Sequence, residues 1–472
     1  MTQTTASAAA EPTPVPLSGR KFPHDRLPAG PRLPRAVQSL LWQRNPDRFL
    51  KRCRDRYGET FTMRIMGEGD WVIVSDPDAV KEIFRGDPEK LYAGEANAIL
   101  GPILGANSVL LLDGRRHLRQ RRLLLPPFHG ERMQSYGELM AGIAREEIDA
   151  WPLQTPFAAQ QRMQSLTLEI ILQAVFGLRE GERLGRIRTA LRRILDDATS
   201  KLTLLTLVVL GPQRFSELRK VRESLGAADV LLFEEIAERR ASGDLAERGD
   251  ILSLLLQATD ENGAPLSDRE LRDELMTLLV AGHETTATAL SWVLERLTRE
   301  PERMQRLVAE IDAGETEYLD AVVNETLRLR PVLPVVVRRL KAPMTIGGVD
   351  LPEGATVAPG ISLVHSRPEV YPDPEAFRPE RFLEQPPGTY TFIPFGGGIR
   401  RCLGAAFAQF EMRIVLRELL STHTVVADGD PAGEGVLRRA ITSAPAQGGR
   451  IVIRRREDTP TPAATATAAA TA

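Results

Sequence analysis

Cysteine is scarce in this sequence of 472 residues, which contains two, Cys53 and Cys402. So few cysteines exclude a disulfide framework and fit a reducing compartment, so we expect a cytoplasmic protein. Long apolar runs are missing as well, because the longest, at 202–210, is far shorter than the ~20 residues that span a bilayer. That run fits a core segment, an entrance lid or a patch that touches a membrane. The N-terminus lacks a basic segment followed by an apolar one, which argues against a signal peptide.

The sequence also lacks an excess of charge of one sign. Its 61 basic and 63 acidic residues leave a formal net charge of −2, so bulk charge gives no reason to expect nucleic-acid binding. None of the six histidines has a His, Cys or Asp partner at metal-ligand spacing. The glycine run at 396–398 fails as a dinucleotide fingerprint because position 401 is arginine, and no Gly-x-x-x-x-Gly-Lys-Ser/Thr motif is present.

The sequence does contain many hydrophobic residues, 42% of the total, and much of it has helical patterns. Helices are predicted at 45–57, 267–298, 317–329 and 403–420, among others, and Cys53 lies on the apolar face of the first as a core thiol. Short strands are predicted at 60–66, 71–75, 344–346 and 356–358, with a C-terminal hairpin of 437–440 and 450–454. The fold class is therefore mainly α with small β-sheets. The Ala-, Thr- and Pro-rich ends, 1–26 and 456–472, are expected to be disordered.

The segment around Cys402 carries the strongest chemical signal. Three glycines, Gly396–Gly398, precede the cysteine, Arg400 and Arg401 adjoin it, and a helical pattern follows. Free amide N–H groups and the positive end of a helix dipole stabilise a negative sulfur, and glycines let the backbone approach it closely. These residues predict a thiolate that is either a nucleophile or a metal ligand.

The predicted helix at 267–298 contains a local conflict. Ser267 and Glu270 form a plausible capping box at its start, but Gly282, Glu284 and Thr285 interrupt its apolar middle. A His-Glu-x-x-His zinc motif is excluded because Ala287 stands where the second histidine would be. An acid beside an alcohol can pass protons to a ligand, and the conflict suggests a kink. The alternative is a helix that tolerates one glycine while threonine hydroxyls cap backbone carbonyls.

An arginine-rich segment at 115–122 suggests recognition of negative charge. His117 and Arg121 share a helix face and suit an anionic group on a ligand, and the other arginines suit an acidic protein partner. A solvated helix face is the alternative. Glu325 and Arg328, at i and i+3, are placed to form a salt bridge, which alone is a weak signal.

Four motifs together resemble the cytochrome P450 family. The pattern Phe-x-x-Gly-x-Arg-x-Cys-x-Gly is matched by Phe395, Gly398, Arg400, Cys402 and Gly404. The other three, Ala-Gly-x-Glu/Asp-Thr, Glu-x-x-Arg and Pro-Glu-Arg-Phe, are matched at 281–285, 325–328 and 379–382. The resemblance covers residues 27–455, and it implies the P450 fold, a single haem domain over those residues and haem b held by a cysteine thiolate.

The resemblance also implies residue roles. Cys402 becomes the axial ligand of the haem iron, and the haem propionates are bound by Arg400, His117, Arg121 and Arg338, with Arg339 as the fallback for Arg338. The implied haem site further includes Phe395, Gly398, Gly404 and Ala281. Thr285 is implied to bond dioxygen or an ordered water, with Glu284 assisting proton supply. Glu325, Arg328 and Arg381 are implied to form a structural triad that braces the cysteine loop.

Substrate and partners follow from the same resemblance. The implied pocket is mostly apolar and suits a fatty acid, terpenoid, steroid or polyketide; its residues are Ala96, Ile99, Leu100, Leu278, Val332, Val335, Val336 and Thr442. Electrons from NAD(P)H are expected through a separate ferredoxin and its reductase, since the chain ends soon after the haem domain, and a monomer is expected. The alternatives are a peroxide-using or isomerising P450 and a non-catalytic haem-binding sensor, and the Glu284–Thr285 pair argues against both.

Overall fold

The computed structural model describes residues 21–458, apart from 129, 131, 178–180, 200–218 and 440. The apolar run at 202–210 and most of both predicted tails lie outside these residues. Near the start of the described chain, the N–H of Phe22 donates to Oδ2 of Asp70 (3.0 Å), and Leu27 is buried against the first sheet.

Helices make up most of the described chain, which confirms the predicted fold class. The α-helices are α1 (Arg35–Arg44), α2 (Pro46–Tyr57), α3 (Pro77–Arg85), α4 (Gly101–Leu104), α5 (Gly114–Leu124), α6 (Arg132–Asp149), α7 (Ala159–Phe176), α8 (Glu182–Thr199), α9 (Arg219–Ala241), α10 (Ile251–Gln257), α11 (Asp268–Leu297), α12 (Pro301–Ala313), α13 (Glu317–Leu329), α14 (Ile361–Val364), α15 (Arg381–Glu384) and α16 (Ala405–Thr422). Short 3-10 turns lie at Ala98–Leu100, Pro126–Phe128, Leu245–Glu247, Gly398–Arg400 and Arg456–Asp458. No helix in the described ranges is long and apolar enough to cross a membrane.

The strands form small sheets. They are β1 (Thr60–Ile65), β2 (Gly69–Val74), β3 (Leu91–Tyr92), β4 (Phe157–Ala158), β5 (Arg338–Leu340), β6 (Met344–Ile346), β7 (Val349–Leu351), β8 (Thr356–Pro359), β9 (His423–Ala427), β10 (Val436–Arg439), β11 (Thr442–Pro445) and β12 (Arg450–Arg455). The largest sheet has the order β1-β2-β8-β5-β3, with β2 and β8 parallel. The predicted C-terminal hairpin is wrong in its pairing, because β10 pairs with β11, whereas β12 lies between β4 and β9.

Helix α11 runs through the main hydrophobic core and packs against α7, α13 and α16. Its start is the predicted capping box, in which Ser267 Oγ accepts from the Glu270 N–H (3.3 Å) and Glu270 Oε2 accepts from the Ser267 N–H (2.9 Å). The local conflict around Gly282 does not break the helix, which continues through this residue without interruption. A Cβ on Gly282 would lie 3.2 Å from Cδ1 of Ile171, so the glycine lets α7 pack closely.

Candidate functional site

Two glycines shape the loop that precedes Cys402. Gly396 and Gly398 have φ angles of +68° and +65°, in the left-handed region that favours glycine. A Cβ on Gly398 would lie 2.0 Å from the carbonyl oxygen of Phe84, which leaves no space for a larger residue. The Cys402 N–H donates to the carbonyl of Phe395 (3.0 Å) and closes the loop. The backbone therefore fixes the position from which the cysteine side chain projects.

Cys402 is accessible to solvent although protein surrounds it, which indicates that its sulfur faces space inside the fold. Burial raises the pKa of this thiol, whereas a hydrogen bond from the Gly404 N–H and the charges of Arg121 and Arg401 lower it. Burial prevails, so the amide and the neighbouring charges by themselves leave the pKa of the thiol raised. A metal cation at the sulfur would supply the missing stabilisation, because coordination deprotonates a thiol.

Ala281 and Thr285 lie one turn apart on α11 and border open space. Ala281 is exposed although Leu279 and Ala287 on the same helix are buried. Thr285 is partly exposed, and its Oγ1 donates to the Ala281 carbonyl (2.7 Å). The hydroxyl thus has the local capping bond that the alternative interpretation expects, and it also lies on the accessible face.

The carboxyl group of Glu284 is held by two glutamines of α7. Gln164 Nε2 donates to Glu284 Oε2 (2.5 Å), and Gln160 Nε2 approaches Oε1 at 3.4 Å. Burial raises the pKa of Glu284, while the Gln164 hydrogen bond and the charge of Arg439 lower it. The sequence analysis missed both glutamines. Their i, i+4 spacing puts them on one face of α7, but that signal has meaning only when α7 is known to pack against α11.

Three of the predicted haem-binding residues lie in a buried cluster. Burial, followed by the charges of Arg400, Arg121 and Arg338, lowers the pKa of His117 to about 3. Burial also lowers the pKa of Arg338 and of Arg400 to about 10, and the Asp113 carboxylate opposes that change in both. One carboxylate faces two nearby guanidinium groups, so the cluster keeps an excess of positive charge.

This cluster fits an anionic group. His117 Nδ1 is buried and has no hydrogen-bond partner among the described residues. Arg338 Nη1 donates to the Val337 carbonyl (2.7 Å), a neutral acceptor, so the compensation of its charge comes only from Asp113, which Arg338 shares with Arg400. Buried cations need a partner charge, and the propionates of a haem would supply it. Burial lowers the pKa of Arg339, the fallback for Arg338, and the charge of Glu95, not that of Asp113, opposes this change.

The arginines of α5 divide into two groups. Arg121 lies close enough to Cys402 for its charge to lower the pKa of the thiol. Arg119 donates to Glu270 Oε1 (2.9 Å) and so ties α5 to the start of α11. The exposed members are Arg115, Arg116 and Arg122. Any protein-docking surface on α5 is therefore limited to these three.

Glu325, Arg328 and Arg381 form one buried network, as the motifs predict for their spacing. Arg328 donates to both carboxylate oxygens of Glu325 (2.7 and 2.8 Å), and Arg381 Nε donates to Oε1 (3.2 Å). Arg328 also donates to the backbone carbonyls of His365 and Pro374, both at 2.9 Å. The network therefore joins α13 to the segment that precedes the cysteine loop.

His365 links that network to the cysteine loop, and the sequence analysis missed it. Its Nε2 accepts from the Ile393 N–H (2.8 Å), so Nδ1 carries the hydrogen and donates to the Arg328 carbonyl (3.2 Å). Burial, the largest cause, lowers the pKa of His365 to about 3. Ile393 is two residues before Phe395, so the neutral imidazole connects α13 to the loop. No motif in the sequence marks this histidine.

The predicted pocket residues near the N-terminal half of α11 are partly exposed. Ala96, Ile99 and Leu100 lie between β3 and α5 in what we call the roof segment, residues 94–112. Leu278 lies on α11 and packs against the main core. Their partial exposure is compatible with an apolar pocket wall.

Of the other predicted pocket residues, Val332 and Thr442 are buried, whereas Val335 and Val336 are partly exposed. Val332 belongs to the main core, and Val335 and Val336 pack against the clusters around the five-stranded sheet. Val336 also lies near the cysteine loop, since a Cβ on Gly396 would be 3.9 Å from its Cγ1. Thr442 is buried, and its Oγ1 donates to the Arg439 carbonyl (3.0 Å), so its hydroxyl is already engaged.

These features define a protein class that holds a haem through a cysteine thiolate, and comparison with known proteins agrees. The family model described as cytochrome P450 matches residues 28–434. The chain belongs to the cytochrome P450 family and is a haem-thiolate monooxygenase in the general sense of that family.

Relatives and solved structures are similar over nearly the whole chain. The protein named cytochrome P450 135B1 of Mycobacterium tuberculosis is 44% identical over 439 residues, which are 92% of each chain. Cytochrome P450 135A1 of the same species is 40% identical over 433 residues, which are 91% of this chain and 96% of the relative. The structure titled retinoic acid bound cyanobacterial CYP120A1 has a TM-score of 0.78 and 25% identity, covering 91% of this chain and 100% of that one.

Proposed function

We propose that this protein uses O2 to insert one oxygen atom into a hydrophobic organic substrate, with haem b held by Cys402. The observation that carries the proposal is an accessible thiol inside the fold, on a chain whose buried cluster of Arg338, Arg400 and His117 has one nearby carboxylate, Asp113, for two guanidinium groups. A bound haem supplies the iron that activates O2 and the propionates that complete the charge of the cluster.

The chain's own residues would bind and orient that haem. Cys402 would ligate the iron, and the Gly404 N–H would temper electron donation by bonding the same sulfur. Arg400, Arg338, His117 and Arg121 would bind the propionates; the remaining predicted haem contacts are Phe395, Gly398 and Ala281. An anion beside His117 would raise the pKa of the imidazole and favour the doubly protonated form.

Glu284 and Thr285 would move the protons that the reduction of O2 consumes. The raised pKa of Glu284 keeps more of the acid protonated near neutral pH than is usual for a glutamate. Gln164 and Gln160 orient its carboxyl group. Thr285 lies on the accessible face of α11, where its hydroxyl can exchange its bond to the Ala281 carbonyl for a bond to a ligand.

Electrons would come from NAD(P)H through a ferredoxin and a ferredoxin reductase on separate chains. The exposed arginines of α5 support this proposal, because they lie on the helix that carries Arg121, the neighbour of Cys402. A cationic surface of this kind steers an acidic redox protein toward the haem.

The substrate would be a hydrophobic molecule of the fatty acid, terpenoid, steroid or polyketide class. Support comes from the apolar, partly exposed side chains of the roof segment and Leu278. The solved relative whose title names bound retinoic acid, an apolar isoprenoid with a carboxylate, is compatible with this class.

The first test is the CO-difference spectrum of the reduced protein, for which we expect the red-shifted band of a thiolate-ligated haem. Cys402→Ala should abolish that band, whereas Cys53→Ala, which removes the buried thiol of α2, should keep it. A wild-type band typical of imidazole ligation would contradict the proposal.

Proton supply is tested with two neighbouring threonines. A substrate is first identified by the low-spin to high-spin shift that it causes in the haem. With that substrate, Thr285→Ala should divert NAD(P)H consumption from product to peroxide. Thr286→Ala is the matched control, because Thr286 is buried and makes the same kind of bond, to the Gly282 carbonyl (3.1 Å). Equal coupling in both variants would remove Thr285 from the proton path.

A further inference from the structure

Asp113 stands at the N-cap position of α5 but does not cap that helix. An aspartate there ordinarily accepts from the first free N–H groups of its helix, and no such side-chain bond is made. The carboxylate instead accepts from the N–H groups of Gly94 (2.8 Å) and Glu95 (2.9 Å) and from Nη2 of Arg400 (2.5 Å). Because Asp113 makes these three tertiary bonds instead of a local cap, its carboxylate contributes to the tertiary structure rather than to the start of α5.

These three bonds join the two ends of the roof segment to the cysteine loop. Gly94 and Glu95 begin the segment, Asp113 follows its last residue, and Arg400 belongs to the cysteine loop. The approach at the first end is close: a Cβ on Gly94 would lie 2.2 Å from the Leu111 carbonyl oxygen and 2.7 Å from Asp113 Oδ2. The loop formed by the roof segment is therefore closed at its base by Asp113.

Arg400 reinforces the same junction. Its Nη1 donates to the carbonyl of Val109 (3.1 Å) and its Nη2 to the carbonyl of Leu112 (2.5 Å), in addition to the bond with Asp113. Asp113 accordingly fixes the direction of a guanidinium group that also holds the C-terminal end of the roof segment. The carboxylate is almost buried, at 12% side-chain exposure, so water screens this ion pair little.

Farther along the roof segment, α11 supplies a second set of anchors. Asp273 Oδ2 accepts from the Asn107 N–H (2.9 Å), and Glu274 Oε1 accepts from the Val109 N–H (2.8 Å). Between these anchors and Gly94 lie Ala96, Ile99 and Leu100, the predicted pocket residues. The base of the roof is thus tied to the haem-binding arginine, while the part that would meet substrate lies between fixed points.

We propose that Asp113 is a positioning residue that orients Arg400 toward the haem propionates and ties the roof of the substrate pocket to the cysteine loop. The inference rests on the proposed function and adds to it a coupling between pocket and haem. Asp113 itself acts through Arg400 and the roof backbone, not by contact with substrate. Its negative charge lies beside Arg400, so it would act on a haem bound by that arginine and would disfavour the addition of an electron there.

The test compares Asp113→Asn with a matched control, Asp250→Asn. Asp250 is also buried, and it also accepts from a backbone N–H, that of Ser253 (2.9 Å), and from an arginine, Arg239 (2.6 Å), but it has no bond to the cysteine loop. Both variants lose one buried carboxylate charge of the same kind. The haem-loaded proteins are compared by the reduction potential of the haem and by the affinities of imidazole and 4-phenylimidazole, read from the Soret band.

We expect Asp113→Asn to retain the thiolate CO band while its haem potential becomes more positive. Its Kd for 4-phenylimidazole, which extends farther into the pocket than imidazole, should rise at least fivefold, and its Kd for imidazole should change less than twofold. Asp250→Asn should alter neither the potential nor the ratio of the two Kd values. An Asp113→Asn protein with the wild-type potential and the wild-type ratio would overturn the inference.

A second variant covers the case in which Asp113→Asn does not retain haem. Asp113→Glu keeps the charge but displaces the carboxylate by one methylene, so we expect weaker 4-phenylimidazole binding at a nearly unchanged potential. Unchanged binding of both ligands would contradict the positioning role. Absence of the thiolate band in the wild-type protein would contradict the proposed function instead, so the two failures are distinguishable.

Discussion

His365 shows how one buried imidazole can act as a structural connector. Because Nε2 accepts from the Ile393 N–H, the ring must be neutral, with its hydrogen on Nδ1. A proton on Nε2 would break that bond and place an unpaired charge beside Arg328. The low pKa, about 3, expresses this cost.

We expect this histidine to make the fold sensitive to acid. The pKa is below its unfolded value of about 6.5, so only the unfolded chain gains a proton as pH falls from 6.5 toward 3. The contribution of neutral His365 to the free energy of unfolding is complete above pH 6.5. Up to about 2 kcal/mol of that free energy is lost between pH 6.5 and 5. Urea unfolding at both pH values should show a smaller difference for His365→Ala than for wild type.

His24→Ala is the control for that measurement, since His24 is exposed whereas His365 is buried. At pH 7, His365→Ala should itself cost about 1–3 kcal/mol, because the Ile393 N–H loses its acceptor. If the free energy of unfolding fell equally with acid in wild type and in His365→Ala, a group other than His365 would cause the acid sensitivity.

Gly398 and Gly404 both belong to the cysteine signature, but their surroundings predict different effects of substitution by alanine. Gly398→Ala would force a Cβ to 2.0 Å from the Phe84 carbonyl at a φ of +65°, so we expect a loss of about 3 kcal/mol or more. At Gly404 a Cβ would meet nothing within 4 Å, so alanine should change the free energy of unfolding by about 0.5 kcal/mol or less. Equal losses in denaturant unfolding would contradict this distinction.

At the scale of elements, α11 shows a glycine kept for packing rather than for bending. Alanine at 282 should gain about 1 kcal/mol of helix propensity, yet its Cβ would approach Ile171 Cδ1 to 3.2 Å. We expect Gly282→Ala to be neutral or destabilising in wild type. Cγ1 of Ile171 lies at 3.3 Å from the same position, so the background that removes both contacts is Ile171→Ala, in which Gly282→Ala should become stabilising. A double-mutant cycle measures this coupling, and purely additive effects would exclude the packing explanation.

Elements with local signals were predicted well, and those with distant partners were not. The sequence analysis predicted Glu317–Leu329 with the observed bounds, and the capping box at Ser267 is present, because both depend on nearby residues. The pairing of β12 with β4 and β9 joins segments far apart in the chain, which no local pattern reveals.

The same distinction applies to the site. The resemblance to a known family marked Cys402, Arg400, Glu325 and Arg328, since each belongs to one of its motifs. Asp113 and His365 were missed, because their roles depend on backbone groups that only the tertiary fold brings to them. The sequence also does not reveal that burial raises the pKa of the Cys402 thiol, because this desolvation depends on how the rest of the chain surrounds the loop.

At the scale of the whole molecule, a near-neutral chain still presents a local cationic surface on α5. Reversing two of its exposed charges, in Arg115→Glu/Arg116→Glu, should slow reduction by an acidic ferredoxin at least tenfold at low salt. The difference should shrink above 0.1 M salt, where screening acts over about 10 Å. Stopped-flow reduction under CO measures both effects.

Arg454→Glu is the matched comparison for the single variant Arg115→Glu, because Arg454 is exposed on β12 and each of these reversals changes the net charge by the same amount. We expect a change of less than twofold for that variant. Equal slowing by the α5 and β12 reversals would indicate a bulk charge effect rather than a docking surface.

The different accessibility of the two cysteines gives a way to measure the fraction of chains that carry haem. Cys53 is buried in α2, and burial raises the pKa of its thiol to about 12, so it is a poor target for alkylation. Cys402 is accessible, and ligation to iron would block its sulfur. In a native preparation at pH 8, the fraction of chains that react once with a maleimide should therefore equal the fraction without haem, and intact-mass spectrometry can read this occupancy without any optical signal.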